Sequence, residues 1–227
     1  MVVLLFGPPG CGKGTQSRLI TAWLKIPAIS TGEMLRAEMQ AGTELGRLAQ
    51  GIMSSGGLVG DDIVNHMLAC RIAKDDCRNG FLLDGYPRTL EQAEYLDQLL
   101  ESRHLACPIV LHLDVPEDAL VGRMTSRRQC PSCARVYNLL HQPPKAAGVC
   151  DDDGVELIIR KDDQESVFRE RLRTYDEQTR PVLAHYHDRS YHQIRGDRSP
   201  NYIFEEITGV LEQVVSVNGH GAASASK

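Results

Sequence analysis

No apolar run in the 227 residues approaches the ~18 needed to cross a bilayer as a helix, so no membrane span is expected. A basic surplus is missing too. The formal net charge is −5 and the isoelectric point about 5.9, which argues against a protein held on nucleic acid by charge. The N-terminus lacks a basic segment ahead of its short apolar run, so no secretory signal is expected. Seven cysteines are an odd number and do not outline a disulfide framework; a reduced, cytoplasmic protein is expected. There are no internal repeats and no clear nucleophile–histidine–acid set.

What is present begins at the first residues. Val2 to Phe6 read as a buried strand, Gly7-Pro8-Pro9-Gly10-Cys11-Gly12-Lys13-Gly14-Thr15-Gln16 as a glycine-rich loop, and Ser17 to Leu24 as a helix. Strand, loop and helix in this order are the setting of a phosphate-binding loop. Its amides and the positive helix end face an anion, Lys13 adds a mobile charge, and the Thr15 hydroxyl faces Mg²⁺ or a phosphate oxygen. Gly14 interrupts the general pattern, in which the lysine is followed directly by serine or threonine.

Further along, Ile26 to Ile29 is a short strand candidate, and Ser30 or Thr31 caps a helix with Glu33 at its positive end. Residues 42–60 are punctuated by glycines and read as short helices with mobile joints outside the core. Asp61 to Ile72 is an amphipathic helix. Gly80 to Arg88 is an apolar run ending in Asp84, placed to face Mg²⁺ through water. Thr89 to Arg103 is a helix with Leu90, Ala93, Leu96, Leu99 and Leu100 on its inner face, and Pro108 to Val115 is a buried strand in which His112 reads as a core histidine. Glu117 to Arg128 is expected to be helical, delivering Arg123, Arg127 and Arg128 to its end. Gln164 to about Tyr186 forms a long helix with Val167, Leu172 and Tyr175 inward and a break near Pro181. Tyr191 to Ile194 is a last strand and Pro200 to about Val217 a closing helix. The spacing of His185, His187 and His192 does not put them on one helical face, so they are not read as a metal site.

Between residues 129 and 160 the chain changes character. Cys130, Cys133, Cys150 and Asp153 form a C-x₂-C-x₁₆-C-x₂-D pattern, two close-spaced pairs suited to tetrahedral zinc in a small β unit. Asp151, Asp152 and His141 compete with Asp153 for the fourth place. A redox Cys130–Cys133 pair and a set of free thiols are the rival readings.

Alternating strands and helices imply an α/β fold of the P-loop NTPase type, a parallel sheet with helices on both faces, and ligands at the carboxyl ends of the strands. The expected organisation is core at 1–29, 61–126 and 164–217, a small helical insertion at 30–60, a small β lid at 127–163, and a disordered tail at 218–227. Many arginines beside a phosphate loop point to phosphoryl transfer, which rests on positioning and charge stabilisation. Two flaps suggest two enclosed substrates; a phosphate acceptor is already anionic and needs no general base.

With these residues placed, the chain resembles the adenylate kinases of the bacterial, long-lid, zinc-bearing type. The resemblance covers residues 1–217 and rests on the loop from Gly7 to Gln16, Ser30-Thr31-Gly32-Glu33-Met34, Leu83 to Thr89, the cysteine insertion and Arg160-Lys161-Asp162-Asp163. It implies reversible transfer from ATP·Mg²⁺ to AMP giving two ADP, in a monomer with a structural Zn²⁺ and no nucleic-acid or membrane partner. It assigns Gly10, Cys11, Gly12, Lys13, Gly14 and Thr15 to the ATP phosphates, with Arg123, Arg127, Val136, Tyr137 and the Arg198 backbone completing that site. For AMP it assigns Thr31, Arg36, Leu58, Val59, Gly85, Arg88 and Gln92. Arg160 and Arg171 clamp the transferring group; Lys13, Asp84, Arg88, Arg123 and Arg127 complete the catalytic set. Glu33 stands where the family usually has aspartate, and Gly60 where proline is often seen. Two alternatives stay open: a kinase for another nucleoside monophosphate such as UMP or CMP, and a non-catalytic ATP- or nucleic-acid-binding module with a zinc ribbon.

Overall fold

The computed structural model describes residues 1–221, without the side chains of Lys161 and of residues 215–221. Its centre is β1 (Val2–Phe6), buried at every position. β-branched and aliphatic residues with no polar alternation suit a strand covered on both faces. β1 lies between β3 (Phe81–Asp84) and β4 (Ile109–Asp114); β2 (Ala28–Ser30) and β7 (Tyr191–Arg195) flank them in the order β2-β3-β1-β4-β7, every pairing parallel. Leu5 stands level with Asp84, and Phe6 with His112, so the carboxyl ends of the central strands share one edge.

Side chains of β1 alternate between two cores. Val2, Leu4 and Phe6 enter one with Leu35 of α2 (Thr31–Ala41), Leu68 of α4 (Asp61–Ile72), Leu96 of α5 (Leu90–Ser102) and Tyr186 of α8 (Val182–Tyr186). Val3 and Leu5 enter the other with Ile20 of α1 (Lys13–Leu24), Leu120 of α6 (Glu117–Thr125), Phe168 of α7 (Glu165–Thr174) and Ile207 of α9 (Pro200–Gly221). Helices therefore cover both faces of a parallel sheet, as the strand–helix alternation requires. No helix among the described residues is long and apolar enough to cross a membrane.

Several expectations are corrected. Residues 44–54 form one helix, α3 (Glu44–Ser54), not short pieces with joints. The Thr43 hydroxyl accepts the Gly46 amide at 2.9 Å, and Ala49 is fully buried in the first core. Gly46 is there for proximity: a Cβ would stand 2.1 Å from the Glu38 carbonyl oxygen of α2. The helix expected from Glu117 to Arg128 ends at Thr125; Arg127 and Arg128 lie in β5 (Arg127–Gln129), paired antiparallel with β6 (Val136–Asn138). Leu90, expected on the inner face, opens α5 at the end of the helix and is 53% exposed. Phe168, not Val167, is the deeply buried residue of α7. The break expected near Pro181 is present: a π-helical turn, Tyr175–Thr179, precedes a turn at Arg180 and Pro181 that separates α7 from α8. Helix α9 continues past Val217 to Gly221, and the rest of the expected tail, residues 222–227, lies outside the described residues.

Candidate active site

At the carboxyl end of β1 the chain turns back on itself. Gly7 has φ +146°, and a Cβ there would meet Cys11 Sγ at 2.6 Å and the Leu113 carbonyl oxygen at 2.7 Å. Only glycine satisfies both the backbone and the space. Helix α1 then begins without a side-chain cap and without an acidic residue in its first turn. Its first amides are thus left for an anion, and the dipole points the same way. Gly14, the residue that interrupts the general motif, has nothing within 4 Å of where a Cβ would stand, so the surface over the first turn is open. Lys13 Nζ donates to the Gly7 and Pro8 carbonyls at 2.6 and 3.0 Å, and Arg123 Nη1 donates to the Cys11 carbonyl at 3.2 Å.

Asp84 ends β3 beside this loop. Burial raises its pKa, against the pull of Lys13, Arg88 and Arg36. On the far side of Asp84, the Thr31 hydroxyl and Arg88 Nε both donate to the Gly85 carbonyl, at 2.9 and 2.8 Å. Gln92 Oε1 accepts the Arg88 amide at 2.8 Å. Its amide nitrogen donates to Asp61, as does the Thr89 hydroxyl, each at 2.6 Å. Asp61, at the first turn of α4, thus holds Gln92 in place. Sequence reasoning assigned it no such part; it had only the helix-opening Asp61-Asp62 pair to go on. Thr31, Arg36, Leu58, Val59, Gly85, Arg88 and Gln92 line one hollow, into which Arg171 also projects.

A larger cleft runs from the glycine loop past that hollow to the lid. It takes in residues 10–15, Asp84, Arg36, Arg88, Arg123, Arg127, Arg160, Arg171, Val136, Tyr137 and Arg198. The structure therefore brings the expected cationic side chains to one place, although they come from α2, the β3–α5 loop, α6, β5, the end of the lid and α7. Arg198 stands at the rim, paired with Glu206 and stacked on the Tyr202 ring at 4.5 Å. Tyr137 is a partial exception: it borders the cleft, but it is only 2% exposed and its hydroxyl is engaged inside the lid.

Carboxylates hold these guanidinium groups. Glu33 accepts from Arg36 at 2.7 Å and from Arg160 at 2.8 Å, joining α2 to the lid. Burial opposes its charged form, yet its hydrogen bond from Arg36 and the charges of Arg36 and Arg160 keep its pKa below the usual value. Arg127 pairs with Asp163, and Arg171 with Asp162 at 2.9 Å and Asp163 at 3.3 Å. Burial, with Arg36 and Arg127 close by, pushes Arg160 down to about 9, and burial pushes Arg171 down to about 10. Both remain cations at neutral pH. Cations crowded enough to resist protonation are a strong attraction for a polyanion. The acidic partners were legible only as the charged end of the lid, because the pairing is made in three dimensions.

The lid places Cys130, Cys133, Cys150 and Asp153 together, with one ligand atom of each within 4.8 Å of the others. Cys133 and Cys150 sulfurs lie 3.6 Å apart, and Cys130 Sγ lies 3.2 Å from an Asp153 oxygen. A tetrahedron of thiolates at ~2.3 Å from zinc has edges of roughly 3.8 Å, so the set fits that ion. The Ser132 and Cys133 amides approach Cys130 Sγ at 3.4 and 3.5 Å, as a ligand knuckle requires. The competitors are otherwise engaged: Asp151 accepts the Lys145 amide at 2.8 Å, and Asp152 pairs with Arg135. His141 is outside the cluster, and none of the seven cysteines is in a disulfide. His112 is a satisfied core residue between the Tyr191 and Tyr175 hydroxyls, at 2.8 and 3.3 Å, and burial lowers its pKa.

A parallel sheet of this strand order, with a glycine loop opening α1 and an acidic strand end beside it, defines a P-loop nucleotide-binding α/β protein. The relatives it matches are more specific. The adenylate kinase family model matches residues 5–191. The chain is 46% identical over 214 residues to the adenylate kinase of Oceanobacillus iheyensis, covering 94% of this chain and 100% of the relative. It is 42% identical over 217 residues to that of Pseudothermotoga lettingae, covering 95% and 100%. It is 49% identical over 189 residues to that of Trichlorobacter lovleyi, covering 83% and 88%. The chain belongs to the adenylate kinase family.

Proposed function

We propose that the protein transfers a phosphoryl group reversibly between ATP and AMP, giving two ADP. The observation that carries this is the single cleft in which an uncapped helix start and Lys13 meet Arg36, Arg88, Arg123, Arg127, Arg160 and Arg171. A transferring phosphoryl group spreads charge over its oxygens, and fixed donors aimed there stabilise it without reorganisation. Gly10 to Thr15 receive the ATP phosphates, and Lys13 leaves its own loop carbonyls to meet the β- and γ-oxygens. Arg123 and Arg127 approach ATP from the lid side, with the lid strand at Val136 and Tyr137 and the Arg198 backbone bounding the base. Thr31, Leu58, Val59, Gly85 and Gln92 hold AMP, and Arg36 and Arg88 its phosphate. Arg160 and Arg171 bridge the two nucleotides. The acceptor oxygen is already anionic, so no general base is required.

Mg²⁺ entering with ATP would supply charge neutralisation to the phosphates. The oxygen donors of Asp84 and Thr15 suit it. Cys130, Cys133, Cys150 and Asp153 would hold a structural Zn²⁺, which would supply a rigid cross-link within the lid. The helical unit at 30–60 and the lid at 127–163 act as the two flaps that exclude water. The enzyme is proposed to work as a cytoplasmic monomer without a nucleic-acid partner.

The test is ADP formation from ATP with AMP, CMP, UMP and GMP as acceptors. AMP is expected to be used far better than the rest. Preference for a pyrimidine acceptor would overturn the choice of AMP, and binding of ATP with no acceptor used would favour a non-catalytic module.

A further inference from the structure

Tyr137 sits in the middle of β6, in a lid whose own core is only Cys130, Tyr137, Cys150 and Leu157. We propose that Tyr137 is a positioning residue of the lid metal centre, its hydroxyl donating to Cys150 Sγ and thereby setting how tightly the metal is held. The inference rests on reading the Cys130, Cys133, Cys150 and Asp153 cluster as a zinc site.

The hydroxyl stands 3.3 Å from Cys150 Sγ and 2.7 Å from the Asp151 amide nitrogen. An amide only donates, so it occupies an acceptor lone pair of the hydroxyl and leaves the proton to the sulfur. The direction of the O–H is thus fixed by the chain on the other side of the knuckle. The ring itself has no freedom to swing: it is buried, with the Arg135 guanidinium 5.1 Å above it, and Arg135 pairs in turn with Asp152 and, at 3.7 Å, with Asp151. One side chain therefore ties β6 to the Cys150–Asp153 knuckle by both its hydrogen bonds and its face.

The other ligands are oriented differently. Cys130 receives backbone amides from Ser132 and Cys133, and Asp153 receives the Val155 amide at 3.1 Å. At Cys150, Tyr137 supplies a side-chain donor that one substitution removes without moving the chain. A hydrogen bond to a coordinated thiolate fixes its lone pairs and moderates its basicity, and loss of such outer partners weakens metal affinity. The same strand carries Val136, which faces the cleft, so the residue that steadies the metal also steadies the inner wall of the lid.

Tyr137→Phe keeps the ring and deletes only the hydroxyl. The full-length wild-type protein and the variant are dialysed exhaustively, and bound zinc is measured by elemental analysis. Each is then titrated with zinc against a chromophoric chelator without nucleotide. The variant is expected to bind zinc about 10- to 100-fold more weakly. In the cobalt(II)-substituted proteins the thiolate-to-metal charge-transfer band is expected to move to longer wavelength in the variant, because an unbonded sulfur gives up charge more readily. Melting in saturating zinc verifies that the variant folds. Unchanged zinc affinity with an unchanged cobalt band overturns the inference and leaves the metal site standing, as does a variant that melts lower equally with and without zinc. A wild-type protein that retains no stoichiometric zinc and does not take it up overturns the metal reading and this inference with it.

Discussion

At the scale of single residues, the site works by placing cations that have partners of their own until a nucleotide arrives. Lys13 rests on the carbonyls of Gly7 and Pro8, and in the proposed reaction it exchanges them for phosphate oxygens. Lys13→Met is expected to lower turnover by on the order of 10²-fold or more, as removal of a charge that acts in the transition state does. Its melting temperature should stay close to wild type, since Lys13 packs no core; steady-state kinetics and a thermal melt together check this. Arg88 lines the hollow with Gln92 and Arg36. Arg88→Ala is expected to reduce kcat/KM for AMP by on the order of 10²-fold while ATP affinity, measured by titration, changes little. Equal loss of both would contradict the assignment. The residues of the glycine loop and the cysteines were legible because their spacing along the chain is itself the chemistry. Of the acidic partners, Glu33 pairs locally with Arg36, three residues on, whereas Asp61–Gln92, Asp163–Arg127 and Glu33–Arg160 join segments 31, 36 and 127 residues apart. No local pattern records such a pair.

At the scale of elements, the strands were the most legible, because a buried parallel strand is a continuous apolar run bounded by turn residues. The errors fell where tertiary contact decides. Glycine in α3 suggested joints, yet Gly46 is what lets α3 lie against α2. Gly46→Ala is expected to destabilise the protein by about 1–3 kcal/mol, the range for forcing atoms into a packed contact, as read by urea unfolding. Arg127 and Arg128 continued a helical pattern by sequence, but pairing with β6 drew them into a strand. Helices α5 and α8 are joined by Asp97, which accepts from His185 at 2.7 Å and from Arg189 at 2.7 Å. Burial opposes the charged carboxylate, but the hydrogen bonds from Arg189 and His185 hold its pKa below the usual value. A depressed carboxylate contributes stability that is fully present above the unfolded value of ~3.9 and fades as pH falls through the folded one. Asp97→Asn is therefore expected to cost about 1 kcal/mol near pH 7, with the difference from wild type closing in acid; melts across pH 3 to 7 check the sign.

At the scale of the whole molecule, two well-filled cores flank one sheet, while the lid's own hydrophobic cluster is just Cys130, Tyr137, Cys150 and Leu157 among the described residues. So small a unit needs a staple, and a metal on Cys130, Cys133, Cys150 and Asp153 is one. Chelation, or Cys150→Ser, is expected to lower the melting temperature by several degrees through loss of a ligand that binds only the folded lid. The intrinsic rate should suffer less, because none of the four groups belongs to the arginine set, although Cys133 borders the cleft. An unchanged melting temperature on metal removal would count against a structural metal. The central claim is that the cleft closes two nucleotides together and keeps water from acting as acceptor. It is tested most directly by following ATP, AMP, ADP and inorganic phosphate in one reaction. The account expects two ADP for each ATP and AMP consumed, with no phosphate released. Phosphate appearing in place of ADP, or no ADP at all, would contradict it.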